Sequence, residues 1–150
     1  MLWDGSSWTE VGDVNTARYQ LSGAGTQTAA LAMGGQTAPG ARVGNTESWD
    51  GSSWSETTDL NTSRDNASGG GASNTSSLLF GGQTTTAVAN TESWNGSSWT
   101  ELNDLSTARS YIQGSGIASN AIASAGSPTP TNQATEEWTV NLGNKTITVS

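Results

Sequence analysis

The chain has 150 residues, only 32% of them hydrophobic, and its 13 acids against 5 bases give a formal charge of −8 at pH 7. That balance removes the basic footprint on which nucleic-acid binding depends and disfavours an anionic membrane surface. The absence of Cys and His excludes disulfides, Cys/His metal sites and imidazole acid–base chemistry, and no apolar run approaches the roughly 20 residues of a membrane span.

Gly, Ser, Thr and Asn fill the places that apolar residues usually take. Such bias often marks disorder, but seven tryptophans in register argue instead for a thin, repetitive fold with small buried residues. The opening text "WDGSSWTEVGDVNTAR" (Trp3 to Arg18) returns as "TESWDGSSWSETTDLNTSR" (Thr46 to Arg64) and "TESWNGSSWTELNDLSTAR" (Thr91 to Arg109). Trp3, Trp49, Trp94 and Trp138 lie 46, 45 and 44 residues apart. A period of this size, built from strand signals and Gly-rich turns, points to propeller blades rather than helical solenoid units. One repeat domain over 1–150 is expected, with units at about 1–45, 46–90 and 91–134 and a closing hairpin or terminal strand at 135–150.

In chain order, each unit opens with a hairpin. Asp4-Gly5, Asp50-Gly51 and Asn95-Gly96 sit where a primed turn needs positive φ. With a two-residue loop Trp94 pairs with Ser97, and with a four-residue loop Trp94 pairs with Trp99; either register puts both rings on one side of the hairpin. "DVNTAR", "DLNTSR" and "DLSTAR" then link to the next strands, and Asp and Asn favour such turns by bonding nearby amides. After the arginine come "YQLSGAG" (Tyr19 to Gly25), "DNASGGG" (Asp65 to Gly71) and "SYIQGSG" (Ser110 to Gly116), strands whose glycines suggest close backbone approach near an axis. The next runs, "AALAMGG" (Ala29 to Gly35), "SLLFGG" (Ser77 to Gly82) and "AIASAG" (Ala121 to Gly126), read as the most deeply buried strand of each unit.

Taken together, these positions resemble the kelch repeat. That family's propeller blades show an apolar strand ending in Gly-Gly, a third strand before a short turn, a Trp in the fourth strand and an Arg before the next blade. Gly34-Gly35, Trp54 and Arg64 match in order, as do Gly81-Gly82, Trp99 and Arg109, while the third unit keeps only Gly126 of its doublet. The resemblance covers about 130 residues and implies an all-β propeller of four-stranded antiparallel blades, about three per chain. The extra Trp opening each hairpin and the uniform Ser/Asn/Thr-rich text are similar to kelch-like arrays in bacteriophage tail and fibre proteins. That second resemblance implies a virion component that displays loops for host recognition.

Three blades leave strand edges open where a kelch-type ring usually holds about six or seven. A homo-oligomer of two head-to-tail chains would make six, with Trp3 to Val11 of one chain completing the blade opened by "ATEEWTV" of the other. Remaining blades of a longer protein are the other way to close the ring. "NKTITVS" (Asn144 to Ser150) also alternates as a strand and lies where the last unit's fourth strand belongs.

Trp3, Trp8, Trp49, Trp54, Trp94, Trp99 and Trp138 could form a sugar-stacking row, but recurrence at one repeat position is what core packing requires. Gly35, Gly82 and Gly126 are structural repeat positions in the same sense. Arg18, Arg64 and Arg109 could ring an anion, but each follows an aspartate five residues earlier and a glutamate eight earlier, so ion pairing within or between blades is the simpler reading. The recurring acids Glu47, Glu92 and Glu136 lack a calcium-loop pattern and obey the repeat, whereas an active site normally breaks it. No metal, no cofactor and no catalysis are expected, so a carbohydrate-active propeller is the remoter alternative, behind a general kelch-type interaction domain. What varies between units is the connection after the apolar run, the second strand counted from the recurring arginine. Candidate binding residues there are Gln36, Thr37 and Arg42; Gln83, Thr84 and Thr85; and Thr129, Asn132 and Gln133, expected to meet a surface glycan or a virion protein.

Overall fold

The computed structural model describes residues 1–128, 133–140 and 145–149, the last stretch by backbone alone. The described residues form strands and turns with no α-helix. In chain order, β1 (Leu2–Trp3) and β2 (Trp8–Thr9) make a hairpin, and β3 (Ser22–Thr26) and β4 (Ala29–Met33) follow. A small hairpin, β5 (Gln36–Thr37) and β6 (Ala41–Arg42), precedes β7 (Thr46–Trp49) and β8 (Trp54–Glu56). Then come β9 (Ser68–Ser73), β10 (Ser76–Phe80), β11 (Thr91–Trp94) and β12 (Trp99–Glu101). Last are β13 (Gln113–Ile117), β14 (Asn120–Ser124), β15 (Thr135–Val140) and β16 (Lys145–Val149).

These strands form five antiparallel sheets, three of them four-stranded: β3-β4-β7-β8, β9-β10-β11-β12 and β13-β14-β15-β16, here sheets one, two and three. Each four-stranded sheet draws on two successive sequence units, because the hairpin that opens a sequence unit closes a sheet. The hairpins adopt the four-residue loop, with Trp3 opposite Trp8, Trp49 opposite Trp54 and Trp94 opposite Trp99. A side-chain clasp holds this register: Asp50 Oδ1 accepts the amides of Ser52 and Ser53 at 2.8 Å each, and Asn95 Oδ1 accepts those of Ser97 and Ser98 at 2.9 Å each. Such a clasp fixes the turn from within and brings the two rings of each pair within 5.4 Å at a tilt of 42–45°.

The innermost strands β3, β9 and β13 lie side by side, with β9 between the other two. Glycine makes this approach possible. A Cβ at Gly70 would stand 3.0 Å from the Gly116 carbonyl oxygen of β13, and one at Gly114 would stand 2.3 Å from the Phe80 ring. The glycines thus trade strand propensity for close stacking of neighbouring sheets.

Two apolar cores fill the gaps between sheets. Leu31 and Met33 of sheet one meet Leu79, Trp94 and Trp99 of sheet two, with Leu60 from the connection. Leu78 and Phe80 of sheet two meet Ile112, Ala121, Ala123 and Trp138 of sheet three. Strand alternation explains the division, since β10 sends Leu79 back to sheet one and its neighbours forward to sheet three. The second strand is deeply buried in sheets one and two, as its apolar run predicts. In sheet three the expectation fails at Ile122, which is exposed because no fourth sheet covers it.

Among the described residues the sheets form an open array, not a closed propeller. The β15 edge, which Trp3 to Val11 of another chain would complete in the predicted two-chain ring, is taken by β16 of the same chain. In register Trp138 pairs with Ile147, where the other hairpins have a second tryptophan.

Candidate binding face

Beneath the variable connections runs a buried charged frame. Each recurring arginine bonds the glutamate in the third strand of its own sheet: Arg18 to Glu47, Arg64 to Glu92 at 2.6 Å, and Arg109 to Glu136 at 2.6 Å. The partner is therefore not the aspartate five residues before the arginine, nor the glutamate eight before. Those acids (Glu10 and Asp13, Glu56 and Asp59, Glu101 and Asp104) are exposed, whereas Glu47 and Glu92 are fully enclosed. Glu92 Oε2 also accepts the Asn61 amide at 2.8 Å and its side-chain N–H at 2.9 Å, and Glu47 repeats the pattern with Asn15. In sheet three Ser106 stands in the asparagine's place and contributes its amide alone, at 2.7 Å.

Electrostatics follow from this geometry. Burial works to raise the Glu47 carboxyl, but the Arg18 hydrogen bond and the amides of Asn15 and Thr16 outweigh it and hold the group below its usual range. Burial pushes the Arg64 guanidinium below its ordinary value, while Glu92 opposes the shift. The Nε of all three arginines is buried without a hydrogen-bond partner. Among the described residues, no group of three or more acids, histidines or cysteines gathers in metal-binding geometry.

Above the frame, the connections after the second strands share one end of the sheets with the residues that follow each arginine. Tyr19 pairs with Gln36 through backbone bonds of 3.0 and 2.9 Å, Asp65 with Gln83 through bonds of 3.1 and 2.8 Å, and Ser110 with Ser127 through bonds of 2.9 and 2.7 Å. The first loop is clasped to Asp65, just after the second recurring arginine. Buried Asp65 accepts Arg42 Nε at 3.1 Å and the Gln36 side-chain amide, whose carbonyl in turn accepts the Tyr19 hydroxyl at 2.8 Å. Of the predicted binding residues, Gln36 and Arg42 are thus occupied by internal bonds, although the Arg42 side chain stays 27% exposed. Thr37 is half-buried at the end of β5, Thr84 is half-buried in its bend, Gln83 is half-buried at the Asp65 bridge, and Thr85 and Gln133 are exposed. Thr129 and Asn132 lie outside the described residues.

Sequence reasoning missed a second layer of this face. Gln20, Asn66 and Tyr111 all adopt left-handed backbone, with φ of 56°, 51° and 53°. They form an arc in which Asn66 N–H donates to the Gln20 carbonyl at 3.1 Å and Tyr111 N–H to the Asn66 carbonyl at 2.9 Å. Only Asn66 carries a sequence signal for that conformation, since Gln and Tyr rarely adopt it. Tyr111, which ends the arc, and Tyr19, which precedes Gln20, are 57% and 49% exposed and offer open aromatic faces.

The recurring tryptophans are elsewhere. Trp49, Trp94, Trp99 and Trp138 are buried between sheets, with indole N–H groups bonded at 2.9 to 3.1 Å to Gln27, Asn74, Thr46 and Ala118. These four are packing residues, whereas Trp54 is half-buried and Trp3 and Trp8 are exposed, so the expectation of core packing does not extend to the first hairpin.

No protein-family model and no curated protein matches this chain. Among solved structures, that of YjhT is similar with a TM-score of 0.79 at 13% identity, over 94% of this chain and 48% of that one. The chain therefore spans about half the length of this neighbour, and the likeness shows a shared β-rich fold of stacked antiparallel sheets.

Proposed function

We propose that this chain is a non-catalytic binding module made of kelch-like β-propeller blades, serving as a component of a bacteriophage tail or fibre. One observation carries the binding reading. Every charged or aromatic residue kept in all three units and buried is consumed by the scaffold, as Arg–Glu pairs or inter-sheet tryptophans. The residues that change from unit to unit gather at one end of the sheets. A face built this way suits recognition, because a rigid frame holds the residues that vary.

The chemistry of that face favours a hydroxyl-rich ligand. Open tyrosine rings offer stacking surfaces, and the amides and hydroxyls of Gln20, Asn66, Thr85 and Gln133 offer hydrogen bonds. A host-surface glycan is the ligand class this combination fits best, each contact being weak and multiplied by copies in an assembly. The phage setting rests on the Trp-Asx-Gly-Ser-Ser-Trp text and its resemblance to fibre arrays.

Binding of the chain to immobilised bacterial surface polysaccharides tests the reading. Retention by at least one polysaccharide, reduced about tenfold or more by Tyr111→Ala with unchanged circular dichroism, is the expected outcome. No retention across a broad panel would overturn glycan recognition, and absence of the chain's peptides from purified phage particles would overturn the virion setting.

A further inference from the structure

The two ends of the array match each other as the internal interfaces do. Aligned on Gly34-Gly35, Gly81-Gly82 and Ala125-Gly126, the residues Leu31, Leu78 and Ile122 are equivalent. Leu31 is covered by sheet two and Leu78 by sheet three, whereas Ile122 is 41% exposed on the outer side of sheet three, with Ile117 exposed nearby. Trp49 and Trp54 of sheet one are equivalent to Trp94 and Trp99, the pair that covers Leu31. Against them lie the β1–β2 hairpin and the start of the connection after it, whose Gly12 carbonyl accepts the Trp54 indole N–H at 3.1 Å, leaving a hollow lined by Met1, Leu2, Val11, Gln27 and Ala30 beside the two rings.

That hairpin occupies the place of the third and fourth strands of a preceding sheet. The Gln27 side chain bonds the Trp3 carbonyl just as Asn74 bonds the Trp49 carbonyl one sheet later. What is missing is the inner strand pair that β13 and β14 supply in sheet three.

Backbone groups at the ends are complementary too. At each internal interface the later unit donates one N–H to the earlier carbonyl, from Asn66 to Gln20 and from Tyr111 to Asn66. In return the earlier doublet donates to the later arginine carbonyl, from Gly35 to Arg64 at 2.9 Å and from Gly82 to Arg109 at 2.8 Å. Continued by one step, the pattern would join the Tyr111 carbonyl to a Gln20 N–H and a Gly126 N–H to an Arg18 carbonyl. All four groups belong to this sequence.

We propose that sheet three of a second copy displaces the β1–β2 hairpin and stacks on sheet one, seating its Ile122 against Trp49 and Trp54. Two copies make this contact twice and close a six-sheet ring; the same heterologous contact without closure would propagate as a filament. The proposal rests on the blade reading above, but not on the ligand assigned to the loops.

Light scattering of the full chain over a range of concentrations tests it. The expected mass is twice 15.3 kDa, and Ile122→Arg should return the chain to a monomer with unchanged circular dichroism, because the residue is already 41% exposed on the outer side of sheet three before association. Hydrogen exchange at Trp3 and Thr9 should quicken in the dimer as the hairpin is released. A folded monomer at every concentration overturns the proposal and assigns the seat to further units of the same polypeptide or to another protein, leaving glycan binding as a separate question. Open polymers overturn the closure, and a dimer indifferent to Ile122→Arg overturns the contact.

Discussion

The hairpin at the start of the chain and the hairpin of sheet two carry nearly the same text and the same internal geometry, but opposite burial. The Trp3 and Trp8 rings lie 5.4 Å apart at 45°, and those of Trp94 and Trp99 lie 5.3 Å apart at 42°. Trp3 and Trp8 are 43% and 65% exposed, against 2% and 6% for Trp94 and Trp99. The tryptophan pair is therefore a local product of the turn, complete before any neighbour arrives. Whether it stabilises the fold depends on the sheet in front of it: Leu31 and Met33 face Trp94 and Trp99, and nothing comparable faces Trp3 and Trp8.

Truncating one ring in each hairpin should break the comparison most sharply. Trp99→Ala removes a buried indole and its bond to Thr46, and is expected to lower the urea-unfolding free energy by about 3–5 kcal/mol. Trp8→Ala, at an exposed ring, should change it by no more than about 0.5 kcal/mol. Equal losses would mean that the pair itself, and not its burial, holds the array together.

Much of the scaffold was legible in the sequence. The period located the strands, and the two registers considered for the hairpin included the one observed, because a side chain that clasps its own turn leaves a local signature in Asp50-Gly51-Ser52-Ser53. The charged frame was not legible, because its geometry is long-range. Arg64 reaches a glutamate 28 residues onward, past two strands, while the acids nearest in sequence point to solvent. The recurrence of Glu47, Glu92 and Glu136 at one repeat position was the available clue. The arc of Gln20, Asn66 and Tyr111 was hidden for another reason: its left-handed backbone is imposed by bonding between adjacent sheets, and two of its three residues have no intrinsic preference for it.

The same contrast between enclosed and open positions exists inside one hairpin. Glu92 and Glu101 face each other across β11 and β12, yet Glu92 is buried against Arg64 and Glu101 is exposed, bonded at 2.6 Å to Asn90. Glu92→Gln leaves a buried guanidinium without its counter-charge and should cost about 2–3 kcal/mol, whereas Glu101→Gln at the surface should fall within about 0.5 kcal/mol. The equivalent Glu47 sets a pH dependence. Its folded carboxyl titrates below its ordinary value of 4.5, so its contribution is complete above that pH and is lost as pH falls through the lowered value. Unfolding curves recorded below pH 4.5 should therefore show a steeper loss for the parent chain than for Glu47→Gln.

Sheets two and three offer a gentler version. Where sheet two has Asn61 and the left-handed Gly81, sheet three has Ser106 and Ala125, the latter held at φ 57°. Ser106→Asn restores a side-chain donor to Glu136, and Ala125→Gly relieves a methyl group in left-handed backbone. Each should add about 0.5–1 kcal/mol in denaturant titrations. A loss at Ser106→Asn would show that the repeat's frame has been rebuilt locally around the serine.

The smallest contrast lies in the turns. Asp50 and Asn95 make the same clasp, one with a carboxylate and one with a neutral amide. The amides of Ser53 and Ser52 and the Ser52 hydroxyl hold the Asp50 carboxyl down to about 2. Because the folded value is depressed, the ionised clasp is complete above the ordinary value of 3.8 and is lost only as pH falls through about 2. Amide chemical shifts of Ser52 and Ser53 should accordingly titrate with a midpoint near 2, while those of Ser97 and Ser98 stay flat over the same range. Asp50→Asn should abolish the first titration without moving the Trp49–Trp54 register. A midpoint near 3.8 would mean that the carboxylate is not gripped, and that glycine alone fixes the turn.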